Sequence, residues 1–198
     1  MHVRDKPPTF LFKYVATGIY ETYLRHGRVR FGTSADYRAQ YEQNAGYADR
    51  YDGVRSARVP RLHSIVSTAN HHYLFCLARS YSHETHGLWL ARQGCGYDLC
   101  IVFDGEAIIA ALVEAVRVKF GKRIILAGSC TYGEHRAQEN VLRGSLLDDA
   151  FVKPMQYAIE DEYRLAIALA PEDPNEPQDL LVPGFQSAVR QLIHLTSQ

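Results

Sequence analysis

Three consecutive carboxylates, Glu160-Asp161-Glu162, lead directly into Tyr163, Arg164 and an apolar run over residues 165–169. An apolar run bounded by charge reads as a buried strand. Charge at its mouth must be paired or used, because an unpaired ion in a low-dielectric setting is costly. Residues two apart on a strand point the same way, so Glu160 and Glu162 share a face. Two carboxylates so placed repel, and one of them is expected to titrate high. Such a pair suits a site that must stabilise positive charge. It can hydrogen-bond sugar hydroxyls and support an oxocarbenium-like centre as a glycosidic bond breaks. The competing reading is a solvated turn before the strand, with Arg164 as an ion-pair partner. The rest of the chain is read as scaffolding for residues 153–169.

Composition narrows the setting. The chain has 198 residues, read as a single domain over 1–198, and is long enough for a sizeable core. Its 22 basic residues balance 22 acidic ones, so bulk charge predicts neither strong nucleic-acid nor membrane attraction. The first 61 residues nonetheless hold 11 Lys and Arg against 6 Asp and Glu. That basic third could meet phosphates or simply be solvated. No segment reaches the ~18 apolar residues that a membrane span needs. The charged, proline-bearing start MHVRDKPPTF is unlike a signal peptide. Four cysteines without framework spacing suit reduced thiols. Together these features predict a cytoplasmic protein.

Periodicity and turn residues predict the elements. Strands are expected over 9–15 (TFLFKYV), 28–31 (RVRF), 61–67, 73–78 (YLFCLA), 98–103 (DLCIVF) and 122–127, with one more after the acidic triplet. The clearest helix is 105–120, where Ile108, Leu112, Ala115, Val116 and Phe120 recur at helical period. Asp104 is its expected N-cap, and Gly121 ends it. A helix over 18–25, capped by Thr17, closes at Gly27. A helical turn at 87–92 carries Trp89. A helical region is expected over 134–147, and a helix or helix–strand unit over 185–194. Residues 172–178 read as a loop. Residues 32–53 are polar and tyrosine-rich, with room for a short helix and then a loop of functional length. Strands and helices mix without regular alternation, which favours an α+β fold over a doubly wound sheet.

Three other constellations bear on chemistry. His71, His72, His83, His86, Cys95 and Cys100 lie within thirty residues, and nitrogen and thiolate ligands suit zinc. Their spacing fits no common zinc pattern, and Cys100 falls inside an apolar strand. Buried thiols and loop histidines are the favoured reading, and no metal is assigned. Cysteine or serine beside histidine would make a nucleophile, but no G-x-S-x-G elbow exists. Between residues 32 and 61, Arg38, Arg50, Arg55, Arg58 and Arg61 interleave with Tyr37, Tyr41, Tyr47 and Tyr51. Guanidinium and aromatic faces together suit single-stranded bases and phosphates. A ligand-free exposed loop has the same composition.

Four landmarks follow one another along the chain. They are LFKY (11–14) with RVRFGTSADYR (28–38) and ADRYDG (48–53); YLFCLARS (73–80); GLWL, a glycine and DLCIVFD (87–104); and K-P-x-x-Y-x-x-E-x-E-Y-R (153–164). In this set the chain resembles the ADP-ribosyltransferase superfamily, in a bacterial branch that includes the DarT-like toxins. It looks closer still to an uncharacterised bacterial family in that neighbourhood. The resemblance implies split antiparallel β-sheets with flanking helices and NAD, the ADP-ribose donor, in the cleft between them. Glu162 would hold a hydroxyl of the nicotinamide ribose and stabilise the transition state as nicotinamide leaves. Glu160 would orient or activate the acceptor.

The first-strand position, commonly His or Arg in this superfamily, falls on Lys13 and Tyr14. Lysine reaches a phosphate but cannot copy an arginine fork, so Arg28 or Arg30 is the alternative phosphate partner. The second sheet would supply Ser80, and Trp89 or Tyr14 would stack nicotinamide. A macromolecular acceptor (RNA, single-stranded DNA or protein) would be read by Tyr37, Arg38, Arg50 and Tyr51. No Rossmann glycine fingerprint or P-loop is present. The resemblance further implies a toxin or phage-defence effector with a neutralising antitoxin partner. An NAD glycohydrolase is a close variant. The different-class alternative is a non-catalytic module on the same fold that binds nucleotide, nucleic acid or a protein partner. Glu162→Gln is expected to separate these readings, because it removes charge while nearly preserving shape, so that fold and melting temperature should survive.

Overall fold

The computed structural model describes residues 2–37, 54–59, 64–69, 72–91, 96–133 and 148–195. It is a mixed α+β structure built on one mostly antiparallel sheet. The sheet runs β1 (His2–Val3), β8 (Ile125–Ser129), β11 (Glu162–Ala168), β6 (His72–Ala78), β2 (Phe10–Val15), β7 (Leu99–Asp104) and β13 (Val189–His194). Only the β1–β8 pairing within it is parallel. Two further strands, β3 (Arg28–Thr33) and β12 (Gln178–Leu181), pair with each other, and β3 also pairs with β6. Apart from this sheet, β4 (Val54–Val59) pairs antiparallel with β5 (Ser64–Ala69). A short parallel ladder joins β9 (Thr131–Tyr132) to β10 (Val152–Lys153).

Strand alternation sorts the sheet into two faces. One face carries Leu11 and Val15, Tyr73, Phe75 and Leu77, and Tyr163, Leu165 and Ile167, all in the main core. Against it packs α3 (Gly105–Phe120) through Ile108, Ile109, Leu112, Val113 and Val116. The Asp104 carboxylate caps this helix by accepting from the Ala107 amide at 3.0 Å, as the sequence predicts. The helix α4 (Phe185–Ala188) closes the same core, with Phe185 edge-on to Phe103 at 5.1 Å. The other face carries the alternate residues, among them Glu162 and Arg164 on β11 and Cys76 and Ala78 on β6. It is roofed by α2 (His83–Ala91) and by 3-10 turns over Asp148–Phe151 and Met155–Glu160.

The strands β2 and β6 are joined at a single pair, Phe12 opposite Ala78. Farther along β6 the neighbour is β3, at Leu74 and Tyr73. Between these points residues 75–77 lie in a fork. Lys13 fills it: its amine donates to the Cys76 carbonyl at 2.8 Å and stands 4.8 Å from the centre of the Phe75 ring. A buried carbonyl without a ladder partner is thereby satisfied.

Several elements depart from the sequence reading. The helix α1 (Thr17–Thr22) is followed by a 3-10 turn, Leu24–His26, that ends at Gly27. Its N-cap is Ala16, not Thr17, and the Thr17 amide is satisfied by Asp98 Oδ1, just before β7, at 2.7 Å. The strand β12 follows the stretch read as loop, sharing only Gln178 with it, in residues given no element, where Leu180 buries against the core as β3 pairs with it. The helical region expected over 134–147 lies outside the described residues. Among the described residues no helix is long and apolar enough to cross a membrane.

Two substitutions at the start of α3 should differ sharply. Asp104→Ala removes the cap and an Arg190 partner at 2.9 Å, and should cost about 1 kcal/mol. Gly105→Ala would bring a Cβ to 1.9 Å from the Pro8 carbonyl oxygen. That backbone atom cannot swing away, so the expected loss is larger, about 2–3 kcal/mol. Urea unfolding of both variants would check this ranking, and a Gly105→Ala variant as stable as wild type would contradict it.

Candidate functional site

A cavity of about 150 Å³ opens at the fork, on the face away from α3. Its walls differ in chemistry. Phe12, Tyr14, Tyr37, Trp89 and Tyr97 form an aromatic side, and Lys153, Glu160, Glu162 and Arg164 form a charged side. Trp89 is half-buried and stacks between Tyr97 at 5.5 Å and Tyr14 at 6.4 Å. Tyr37 can lie over β3 because Gly32 has no side chain; a Cβ there would meet the tyrosine ring at 2.9 Å.

The charged wall is built by the entry into β11. Residues Met155–Glu160 form a 3-10 turn, and Asp161 reverses the chain with φ 41°. No other described non-glycine residue has positive φ. Aspartate tolerates this region better than most residues, at a strain of about 1–3 kcal/mol. The turn is held by β6 and the residues just beyond it. The Arg79 amide donates to the Asp161 carbonyl at 2.8 Å, the Arg79 guanidinium lies 3.1 Å from Asp161 Oδ1, and the Ser80 hydroxyl donates to Oδ2 at 2.7 Å. Glu160 and Glu162 therefore line one cavity although they belong to different elements.

Two cations hold these carboxylates. Lys153, on β10, places Nζ 2.5 Å from Glu160 Oε2 and 3.4 Å from Glu162 Oε1. Arg164 donates from Nε to Glu162 Oε2 at 2.6 Å and from Nη1 to the Ala150 carbonyl at 2.7 Å. The Cys130 thiol lies 3.6 Å from the same Oε2, and the Glu162 amide donates to the Tyr132 hydroxyl at 2.6 Å. Lys153, Glu160 and Arg164 are buried, and Glu162 is only slightly exposed. The two oxygens of Glu162 thus differ: Oε2 is anchored, whereas Oε1 meets only a distant ammonium.

Titration follows from this geometry. Burial opposes ionisation of Glu162, but Arg164 and then Lys153 outweigh it and hold the carboxyl down to about 2. The sequence reading, in which mutual repulsion makes one carboxylate titrate high, is corrected for Glu162, because cations stand beside it. Burial lowers the Lys13 amine, with Cys76 and the Glu162 carboxylate acting the other way. Burial pushes the Cys100 thiol up to about 12 and raises Cys130 as well. Neither is a thiolate near neutrality, which disfavours a cysteine nucleophile. Among the described residues no group of three or more His, Cys, Asp or Glu is placed to hold a metal ion.

The cavity gathers Glu160, Glu162, Lys13, Tyr14, Trp89 and Tyr37 from the residues that the sequence singled out. It does not gather Arg30, which is exposed on β3 opposite Asp179. Nor does it gather Ser80, whose hydroxyl is engaged by Asp161. Lys13 lines the wall, but one of its donors is spent on the Cys76 carbonyl. Arg38, Arg50 and Tyr51 lie outside the described residues. Lys153, Arg164 and Tyr97 also line the cavity without having been chosen as site residues. The first two bracket the K-P-x-x-Y-x-x-E-x-E-Y-R pattern, which was the available signal.

Acid should weaken the fold through Glu162. A carboxyl whose folded pKa is depressed stabilises the native state above its unfolded pKa, and that contribution fades as the pH falls toward the folded one. The window runs from the ordinary 4.5 down to about 2. The expectation that Glu162→Gln keeps its melting temperature changes accordingly. The amide removes a carboxylate partner from both Arg164 and Lys153, at a loss on the order of 3 kcal/mol near neutrality. Urea titrations from pH 7 to pH 2 should show wild type losing stability more steeply than the variant below pH 4.5. Parallel curves would remove Glu162 from the acid response. Comparison of the chain with protein-family models, curated proteins and solved structures gives no match.

Proposed function

We propose that the protein is an NAD-dependent ADP-ribosyltransferase that transfers ADP-ribose to a macromolecular acceptor, with the cavity at the fork as its site. The observation that carries this reading is the juxtaposition of Glu162 Oε1 with an aromatic wall across a cavity of about 150 Å³. A cavity of that volume has room for a single aromatic ring. A nicotinamide ring would stack on Trp89 and Tyr14, and Glu162 would accept a hydrogen bond from a ribose hydroxyl through Oε1. The same carboxylate would stabilise the positive charge that develops at the ribosyl carbon as the bond to nicotinamide breaks. The parting of β2 from β6 supports the split-sheet architecture of this superfamily. The residues fit the nicotinamide-ribose half of the donor. For its phosphates Lys13, of the basic residues chosen for the donor, lines the cavity. A toxin or phage-defence role with an antitoxin partner belongs to the same reading by analogy.

The charge balance of the network favours a second reading. Two cations already neutralise the two glutamates, as in a pocket that binds a ligand without turnover.

Labelled NAD separates the two. Wild type should release nicotinamide and pass label to RNA, single-stranded DNA or a lysate protein. Glu162→Gln, assayed where circular dichroism shows it folded, should fall about 10²–10³-fold. Release without transfer would indicate a glycohydrolase. Binding of NAD without release would indicate the non-catalytic module, and neither binding nor release would end the transferase reading.

A further inference from the structure

We propose that Lys153 is a positioning residue: it is the shared counter-ion that keeps Glu160 and Glu162 both ionised in one buried site, and its withdrawal onto Glu160 frees Glu162 Oε1 for a ligand. As a statement about electrostatics this stands on its own, and as a statement about turnover it rests on the transferase reading.

The distances are unequal. Nζ is in tight contact with Glu160 at 2.5 Å and in loose contact with Glu162 at 3.4 Å. The ammonium therefore already leans toward Glu160. A ligand hydroxyl arriving at Oε1 would complete that shift without leaving Glu160 unpaired. Arg164 cannot take this part. It is bound to the other oxygen of Glu162 and to the Ala150 carbonyl on the neighbouring 3-10 turn. The lysine is held as a device of this kind requires. It is 3% exposed, its strand β10 is tied to β9, and Nζ lies 4.8 Å from the centre of the Tyr157 ring.

The titratable and charged groups around Glu162 among the described residues come from every neighbouring element. They are Arg164 on β11, Lys153 on β10, Glu160 on the 3-10 turn, Tyr132 on β9, Cys130 beside it, Cys76 on β6 and Lys13 on β2. Among the described residues Lys153 is the cation seen in contact with both carboxylates. Without it two like charges share a cavity wall, and one must take up a proton at a higher pH.

The test reads the carboxylates directly. Protein labelled with 13C at glutamate is titrated by NMR as wild type, Lys153→Met and Lys153→Arg, with Glu160→Gln and Glu162→Gln used for assignment. In Lys153→Met one of the two carboxyls should titrate more than about one pH unit above its wild-type position. Lys153→Arg should return it most of the way. Unchanged titration in a folded Lys153→Met would overturn the proposal. If Lys153→Met does not fold, wild type still decides. The 15Nζ resonance of Lys153 should report an ammonium through neutral pH, and a neutral amine there would overturn the proposal equally. Where wild type turns over NAD, the acid limb of its kcat/KM profile should move to higher pH in Lys153→Met by the same interval. Where it does not, the transferase reading fails while the titration still settles the role of Lys153.

Discussion

Glu160 and Glu162 line one largely buried cavity, and each carboxylate taken out of water must find a cation or lose its charge. Lys153 and Arg164 supply the cations from opposite directions. Arg164 comes with the strand, since it follows Glu162 by two and shares its face. Lys153 has to be brought from elsewhere, and a good part of the local architecture serves that delivery. The two-residue ladder of β9 with β10 fixes its backbone, and the turn from Met155 to Glu160 carries the chain back to β11. Replacing such a network with packed apolar side chains often leaves a protein as stable or more so. Its presence is therefore better understood through what the carboxylates do than through what they contribute to folding.

The sheet accommodates this cluster by being small where the cluster is large. Ala78 faces Glu162 on one neighbouring strand, and Gly128 faces Arg164 on the other. The space over Gly128 is taken by Arg4 and Asp5, whereas Ala78 borders the cavity at the fork between β2 and β6, so that one gap in the ladder becomes both a structural problem and a cavity. Lys13 resolves the first by satisfying the Cys76 carbonyl and borders the second.

Much of this was legible before any coordinates. The helix from Gly105 to Phe120 followed from its period and its cap, both local signals, and the buried run after Arg164 followed from its composition. The partnerships were not legible. A lysine seven residues before a glutamate carries no mark of contact, because the turn between them, Met155–Glu160, ends at Asp161, which is held by Arg79 and Ser80 far along the chain. The same limit hides the surroundings of Ser80 and Arg30, the first engaged by Asp161 and the second opposite Asp179 on β12. Local chemistry announced that charge would be used near residue 160. Only long-range packing determined which charges meet.

The cavity is built mostly on the sheet, with Trp89 contributed by a short helix. The charged residues of β11 lie between β8 and β6, a position flanked by full ladders on both sides. In α2, by contrast, His86 is the sole fully buried residue, and Trp89 is only half-buried. In the language of hydrogen exchange, amides of β11 belong to the portion of a protein that opens only with the whole, whereas amides of α2 belong to the portion that opens by local excursions. Entry to the cavity past Trp89 can thus draw on a cheap fluctuation of α2 while the carboxylates keep their register.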